Sequence, residues 1–413
     1  MKIRLIQDID RTFWTQYLIL VALAVLTLFS ASSTLVYSQG SVLGPIGGQI
    51  VFILIGIAVA YGIQLVPTYW IRRGGYLLLG VAILCLYSLL IPGNPFAATI
   101  NGATRWIRIG GLTFQPSELA KLGLIIVVAD LLSQARTPEL KKKYFWWTLG
   151  LTGFTVLPVL VSNLSTTLLI CGIVFLLWIL ARIPWKYTVS VAAVAVMLLV
   201  AGYCIVEFGF VRTGKSLPVV PRAKTWVARV DRFLAGDEES AKAAKFQITD
   251  DNRQEVYASV AIARGGASPL GVLPGNSKER DYLPLAFADY IFAIYVEELG
   301  ILGALFLIVL YLTILFRACY VSTRFGDTAS MLMMMGLALM ITCQALISML
   351  VAVGIGPVTG QPLPMISKGG TSVLITSLYF GIMMSVSREQ KMLQCRQTQA
   401  IKESEDDVPP ITV

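Results

Sequence analysis

The chain has 413 residues, 56% of them hydrophobic and only 14% charged, a balance that excludes an ordinary soluble domain and indicates a polytopic membrane protein. The formal net charge of +9 does not point to nucleic acid, because the basic residues cluster in short loops between apolar runs and so report membrane topology. There is no histidine, so any acid–base chemistry must use other side chains.

Crossing a bilayer takes about 17 to 25 apolar residues. Such runs lie at about 15–37, 49–69, 75–92, 118–134, 146–163, 165–182, 187–207, 286–316, 329–354 and 371–387. The predicted fold is an all-α polytopic membrane protein of about ten transmembrane helices, in which only Ser162 to Ser165 separate the fifth and sixth. The basic start and Ser30-Ala31-Ser32 mimic a signal peptide, but the apolar run continues to Tyr37, which favours a retained helix. One set of short loops carries Lys2, Arg4, Arg11, Arg72, Arg73, Arg136, Lys141 to Lys143, Arg182, Lys186, Arg317, Arg324, Arg388, Lys391, Arg396 and Lys402. The opposite short loops hold Arg105, Arg108 and Lys368. By the positive-inside rule the first set is cytoplasmic, as are both termini.

One long external loop, about 208–285, falls between spans seven and eight. Within it Trp226, Val227, Val230, Phe233 and Leu234 recur at helical spacing beside Arg222, Lys224, Arg229 and Arg232, which predicts an interfacial amphipathic helix. A second helix is predicted at 252–263, before Gly265-Gly266. Residues 1–390 form a single membrane domain, and the polar 391–413 tail, with its ESEDD run and Pro pair, is predicted disordered. The six cysteines lie in spans or near the cytoplasmic side, with no spacing that suggests zinc or redox work.

Three stretches carry polar groups that an apolar segment does not tolerate without purpose. Residues 101–121 read NGATRWIRIGGLTFQPSELAK. Pro116 suits a first helical turn after Gln115, and Ser117 and Glu118 complement its positive end. Glu118 and Lys121, one turn apart, can neutralise each other. Arg105 can bind phosphate oxygens while Trp106 anchors at the interface. Residues 283–300 read LPLAFADYIFAIYVEELG, with Asp289 at the mouth of the span and Glu297 and Glu298 deeper. In a helix Asp289 and Glu297 would lie about 12 Å apart, beyond the roughly 5 to 9.5 Å of a glycosidase carboxylate pair, so their roles are separate. Residues 357–372 read PVTGQPLPMISKGGTS. This Pro- and Gly-rich backbone cannot face lipid, and Gly369 and Gly370 beside Lys368 would offer amides to an anion at a helix start.

Together these stretches resemble the SEDS family (shape, elongation, division and sporulation), over roughly residues 12 to 390. The resemblance rests on Gly102, Ala103, Arg105, Trp106, Gln115, Pro116, Ser117, Glu118 and Lys121. It continues at Gln254, Ala261, Ile262, Gly265, Gly266, Gly275, Ser277, Lys278, Leu283, Pro284, Asp289, Phe292, Glu297, Glu298, Leu299 and Gly300. Pro357, Thr359, Gly360, Leu363, Pro364, Ser367, Gly369 and Gly370 complete it. The family's usual Glu-Ala-His-Thr before the aspartate is Leu285-Ala286-Phe287-Ala288 here, Lys368 stands where Tyr is usual, and Ser348 where Asn is.

The resemblance implies a peptidoglycan glycosyltransferase of the bacterial cytoplasmic (inner) membrane that joins lipid II into glycan strands and releases undecaprenyl diphosphate. It implies Asp289 as the catalytic base. Arg105, Trp106, Lys278, Arg280, Ser367, Lys368, Gly369 and Gly370 are candidates for holding diphosphate or sugar. Gln115, Ser117, Glu118, Lys121, Gln254, Glu297, Glu298 and Thr359 are expected to shape the cavity. No metal site or cofactor is identified, although a diphosphate leaves room for a divalent cation. The implied partners are a class B penicillin-binding protein transpeptidase and other divisome membrane proteins, at the division septum if the chain belongs to the FtsW-like branch. A RodA-like elongation synthase, a lipid II flippase and a non-catalytic scaffold are the alternatives. A flippase would need a matched polar cluster in the cytoplasmic half, which the sequence does not supply.

Overall fold

The computed structural model describes residues 9–31, 43–100, 103–109, 112–206, 248, 253–279, 282, 290–324, 326–356 and 360–406. Each predicted span falls on one helix: α1 (Arg11–Ala31), α2 (Leu43–Gln64), α3 (Thr68–Ser88), α4 (Pro116–Ser133), α5 (Pro138–Ser162), α6 (Leu164–Leu180), α7 (Trp185–Val206), then α9 (Ile291–Ser322), α10 (Thr328–Ala352) and α11 (Gly370–Asp406). Between α7 and α9 lies the short α8 (Arg253–Gly266), where a helix was predicted at 252–263. The predicted amphipathic helix around Trp226 lies outside the described residues. Eight of these helices are long and apolar enough to cross a membrane. Of the other two, α4 carries Glu118, Lys121 and Asp130, and α6 has 17 residues.

Helix ends differ from the sequence reading for identifiable reasons. Pro67, ahead of α3, stops α2 at Gln64. Hydropathy also places the start of α3 too late, because Arg72 and Arg73 lie inside its first turns. Arg72 is accommodated there by Asp130 at 3.8 Å and Asp327 at 3.4 Å. A single residue separates α5 from α6: Asn163 ends the first helix and accepts the amide of Thr166 at 3.2 Å to cap the second. The helix of α11 continues through 391–406, a stretch predicted to be disordered. It is rich in Lys, Gln, Arg and Glu, has no Gly or Pro before Pro409, and extends a helix already nucleated in the bundle.

Among the described residues one element departs from the all-α prediction. Three antiparallel strands, β1 (Ala97–Ile100), β2 (Ala103–Ile109) and β3 (Leu112–Phe114), pair in that order, with Trp106 opposite Ala98 and Arg108 opposite Thr113. The β-branched and aromatic residues of ATRWIRI favour strand, and Asn101-Gly102 and Gly110-Gly111 have the composition that tight hairpin connections favour. In this stretch between α3 and α4, strand pairing satisfies backbone groups that no helix takes up.

Side-chain bonds define the two ends of the bundle. At the basic end Asp10 accepts from Arg317 at 2.8 Å and Ser387 at 2.5 Å, Arg388 donates to the Leu65 carbonyl at 2.9 Å, and Lys141 donates to the Arg182 carbonyl at 3.0 Å. At the other end Arg105 Nε donates to the Ser162 carbonyl at 3.1 Å, Gln361 to Thr166 at 2.6 Å, and Ser30 to Glu298. Between them the main apolar core is built largely from α4, α9, α10 and α11. On the periphery α7 buries only Thr188.

Candidate functional site

The N-terminal end of α9 is built around two carboxylates removed from water, Glu297 fully buried and Glu298 1% exposed. A buried carboxylate persists only with donors around it, and a single loop supplies most of them. Glu297 accepts the Lys278 amide at 3.1 Å, the Arg264 guanidinium at 3.4 Å and the Ser277 hydroxyl. Glu298 accepts the Gly275 amide at 3.1 Å. The α9 backbone is broken at Gly300, whose φ of 67° and ψ of −165° are not helical. That break interrupts the helix pairing of the Glu297 and Glu298 carbonyls, and the loop takes them up: Val272 N–H bonds Glu297 O at 2.9 Å and Leu273 N–H bonds Glu298 O at 3.0 Å. In return Leu302 N–H bonds Pro269 O at 3.2 Å. The approach is so close that a Cβ on Gly265 would sit 2.1 Å from Val296 O, and one on Gly271 (φ 66°) 2.5 Å from Glu297 O. Residues 265–279, ending in Lys278 and Glu279, are thus strapped across the kink. Arg264 also lies 4.0 Å from Glu279. Burial and the nearby Glu297 push the Glu279 carboxyl above its usual range, against the pull of Arg264 and Lys278.

A second strap holds the segment before α11. Gln115 precedes α4, Pro116 opens it, and Ser117, Glu118 and Lys121 are all buried. Lys121 Nζ lies 2.7 Å from Glu118 Oε1 and donates to Gln344 Oε1 at 2.8 Å. Gln344 Nε2 in turn donates to the Pro362 carbonyl at 3.0 Å. Tyr311 donates to the Pro364 carbonyl at 2.5 Å, and Ser367 Oγ accepts the Leu363 amide at 2.8 Å. The 360–369 backbone, which includes Met365 at φ 68°, is therefore covered by protein groups on several sides, as irregular backbone at membrane depth requires. Lys368 is half-buried, and that burial lowers its pKa. Gly369 and Gly370 stand at the start of α11.

Arg105 and Trp106 sit half-buried on β2, Arg105 at the end of α5. Gln254 occupies the first turn of α8, half-buried. Arg105, Lys278 and Lys368 thus reach the same end of the bundle on three supports: the sheet, the strapped loop and the turn before α11. Asp289, Arg280 and Thr359 lie outside the described residues, and so does the predicted Asp289–Glu297 separation. Among the described residues no group of three or more His, Cys, Asp or Glu is arranged to hold a metal ion.

Sequence reasoning missed Arg264, Glu279 and Gln344. Gln344 had a signal, an amide in the middle of an apolar span that must find a partner. Arg264 had a weaker one, a cation ahead of Gly265-Gly266 within reach of a loop that leads to two buried acids.

The fold and this end of the bundle define a multi-pass membrane protein that concentrates buried ion pairs and strapped loops at one face. The family model described as cell cycle protein, covering FtsW, RodA and SpoVE, matches residues 10–392, and the chain belongs to that family. It is 32% identical to a probable peptidoglycan glycosyltransferase FtsW of Hahella chejuensis, across 90% of this chain and 88% of that one. It is 28% identical to the peptidoglycan glycosyltransferase MrdB of Escherichia coli K12, across 93% and 97%. Among solved structures it matches a chain of a peptidoglycan synthase complex described as coordinating polymerization and crosslinking, with TM-score 0.68 and 26% identity over 92% of this chain and 98% of that one. Thermus thermophilus RodA shares the fold, with TM-score 0.63 and 22% identity over 92% and 97%.

Proposed function

We propose that this protein is a peptidoglycan glycosyltransferase that polymerises lipid II at the outer face of the bacterial cytoplasmic membrane and releases undecaprenyl diphosphate. The observation that carries the reading is the pair of straps. One ties the Lys278 backbone amide to buried Glu297, in the second turn of α9 and eight residues beyond Asp289 in the chain; the other ties the segment bearing Lys368 through Gln344 to Lys121. Backbone held in this way presents the Lys278 and Lys368 side chains from fixed points, which suits a leaving diphosphate, because charge that needs little rearrangement stabilises a departing anion. In this reading Asp289 takes the proton of the acceptor hydroxyl, and Arg105, Lys278, Arg280 and Lys368 receive the diphosphate. Partial desolvation raises an aspartate towards a useful base strength. Residues 1–390 act as one catalytic membrane domain.

In this reading the chain works in the division branch, at the septum, with a class B penicillin-binding protein cross-linking the product; relatives named FtsW at 28–32% identity, beside MrdB at 28%, are what supports it. The test is polymerisation of labelled lipid II by purified protein with its transpeptidase partner, native against Asp289→Asn at matched folding. Polymer from the native pair alone supports the reading. Equal polymer from both removes Asp289 from catalysis, and none from either returns the flippase and scaffold readings. Depletion separates the branches: filaments indicate division and round cells indicate elongation.

A further inference from the structure

On the opposite, basic end, the starts of α5 and α7 and the turn after α6 form a corner unlike the rest of the surface. Arg136, Lys142, Lys143, Arg182 and Lys186 are exposed there and Lys141 is half-buried, while Glu139 is the one acid in 134–147 and 181–188. Lys141 is fixed on the turn by its bond to the Arg182 carbonyl. The corner is rigid, because the Phe145 ring lies 4.9 Å from Trp178 and 5.3 Å from Tyr187, joining all three helices, and Trp178 Nε1 donates to Thr148 at 2.9 Å. Trp146, Trp147 and Trp185 are 55%, 63% and 70% exposed at the same level, as interfacial anchors are. From Trp185 a shallow, open apolar groove of about 790 Å³ runs along one face of α7, lined by Val189, Val196, Met197 and Val200 and edged by Phe175 of α6.

We propose that this corner binds one anionic phospholipid of the cytoplasmic leaflet, its phosphate on Lys141, Arg182 and Lys186 and an acyl chain in the α6–α7 groove. The groove alone would fit any apolar chain. What selects the occupant is that its end at Trp185 opens beside these cations, and basic pockets between helices on the cytoplasmic side suit anionic head groups. A membrane helix of a partner protein would need no such charge at one end. Lipid II presents its diphosphate at the other face in the reading above, so this lipid is not the substrate.

The test is native mass spectrometry of the full-length protein in micelles doped equally with phosphatidylglycerol and phosphatidylcholine. The native chain is expected to retain phosphatidylglycerol preferentially. A Lys141→Gln/Arg182→Gln/Lys186→Gln variant should lose affinity by roughly fivefold per cation removed. Ala193→Leu, which fills the groove wall, should weaken retention with every cation in place. Arg11→Gln, exposed at the start of α1, should leave it unchanged. Equal retention of both lipids by the native chain, undiminished phosphatidylglycerol in the triple variant, or an equal loss in the Arg11 control would overturn the site. No effect of Ala193→Leu would overturn the seat for the acyl chain. Elution as a single folded species on gel filtration separates these outcomes from misfolding.

Discussion

The backbone amide of Lys278 donates to the buried carboxylate of Glu297 at 3.1 Å, so the backbone that carries a candidate diphosphate cation is held by an acid nineteen residues further along the chain. The same carboxylate holds Ser277 and Arg264, which makes Glu297 the anchor of the strapped loop. Glu297→Gln keeps the shape but removes the charge that all three donors face. The expected outcome is a folded protein, a few degrees lower in melting temperature, with at least tenfold lower lipid II polymerisation. Circular dichroism and the polymerisation assay, run side by side, check it; undiminished polymerisation would mean that the loop's position does not matter to the reaction.

Substituting one member of the Glu118–Lys121 pair is worse than substituting both. Lys121→Met leaves Glu118 buried at 2.7 Å from a missing charge, and stranding a buried ion in this way costs about 3–5 kcal/mol. Glu118→Gln/Lys121→Met removes both charges and should recover most of the lost thermal stability, although Gln344 still loses its donor. Melting curves of the two variants in the same detergent decide the point. A double variant no more stable than Lys121→Met would show that the lost Gln344 bond, and not the stranded charge, dominates.

The helical architecture was legible because long apolar runs and flanking Lys and Arg are local signals. The straps were not, because no local pattern pairs their partners: Lys121 and Gln344 are separated by 223 positions, and Gly275 and Lys278 meet Glu298 and Glu297 across a break in the helix, 23 and 19 positions on. Spacing could say that Glu297 and Glu298 needed donors but not that residues 275–278 supplied them. Arg72 misled in the other direction, since hydropathy ends a span at a charge while the fold buries part of that arginine between Asp130 and Asp327. The sheet at 97–114 was hidden by the Gly-rich composition of its connections, which reads equally well as loop.

Adjacent glycines should respond differently to the same change. A Cβ at Gly265 would meet Val296 O at 2.1 Å, whereas one at Gly266 meets nothing within 4 Å. Gly265→Ala must push α8 and its loop off α9, and a large drop in melting temperature with loss of polymerisation is expected. Gly266→Ala should be neutral or slightly stabilising, because alanine is the better helix former by roughly 1 kcal/mol. Equal behaviour of the two in a thermal-shift series would show that α8 does not press on α9 as the geometry requires.

Glu279 makes the strapped loop sensitive to pH in a direction that can be worked out. Its carboxyl is held above the ordinary value of 4.5, first by burial and then by the charge of Glu297, with Arg264 and Lys278 pulling the other way. A raised carboxyl favours the folded state while it is protonated, and that contribution fades as pH rises through the folded-state value. Glu279→Gln mimics the protonated form at every pH. The variant and the native protein should therefore melt at similar temperatures near pH 4, with the variant gaining as pH rises past the range in which the native carboxyl ionises. If the native protein were instead the more stable of the two at pH 7, the attraction of Arg264 at 4.0 Å would outweigh burial and the repulsion of Glu297. Melting temperatures of both chains across pH 4 to 8 distinguish the two balances.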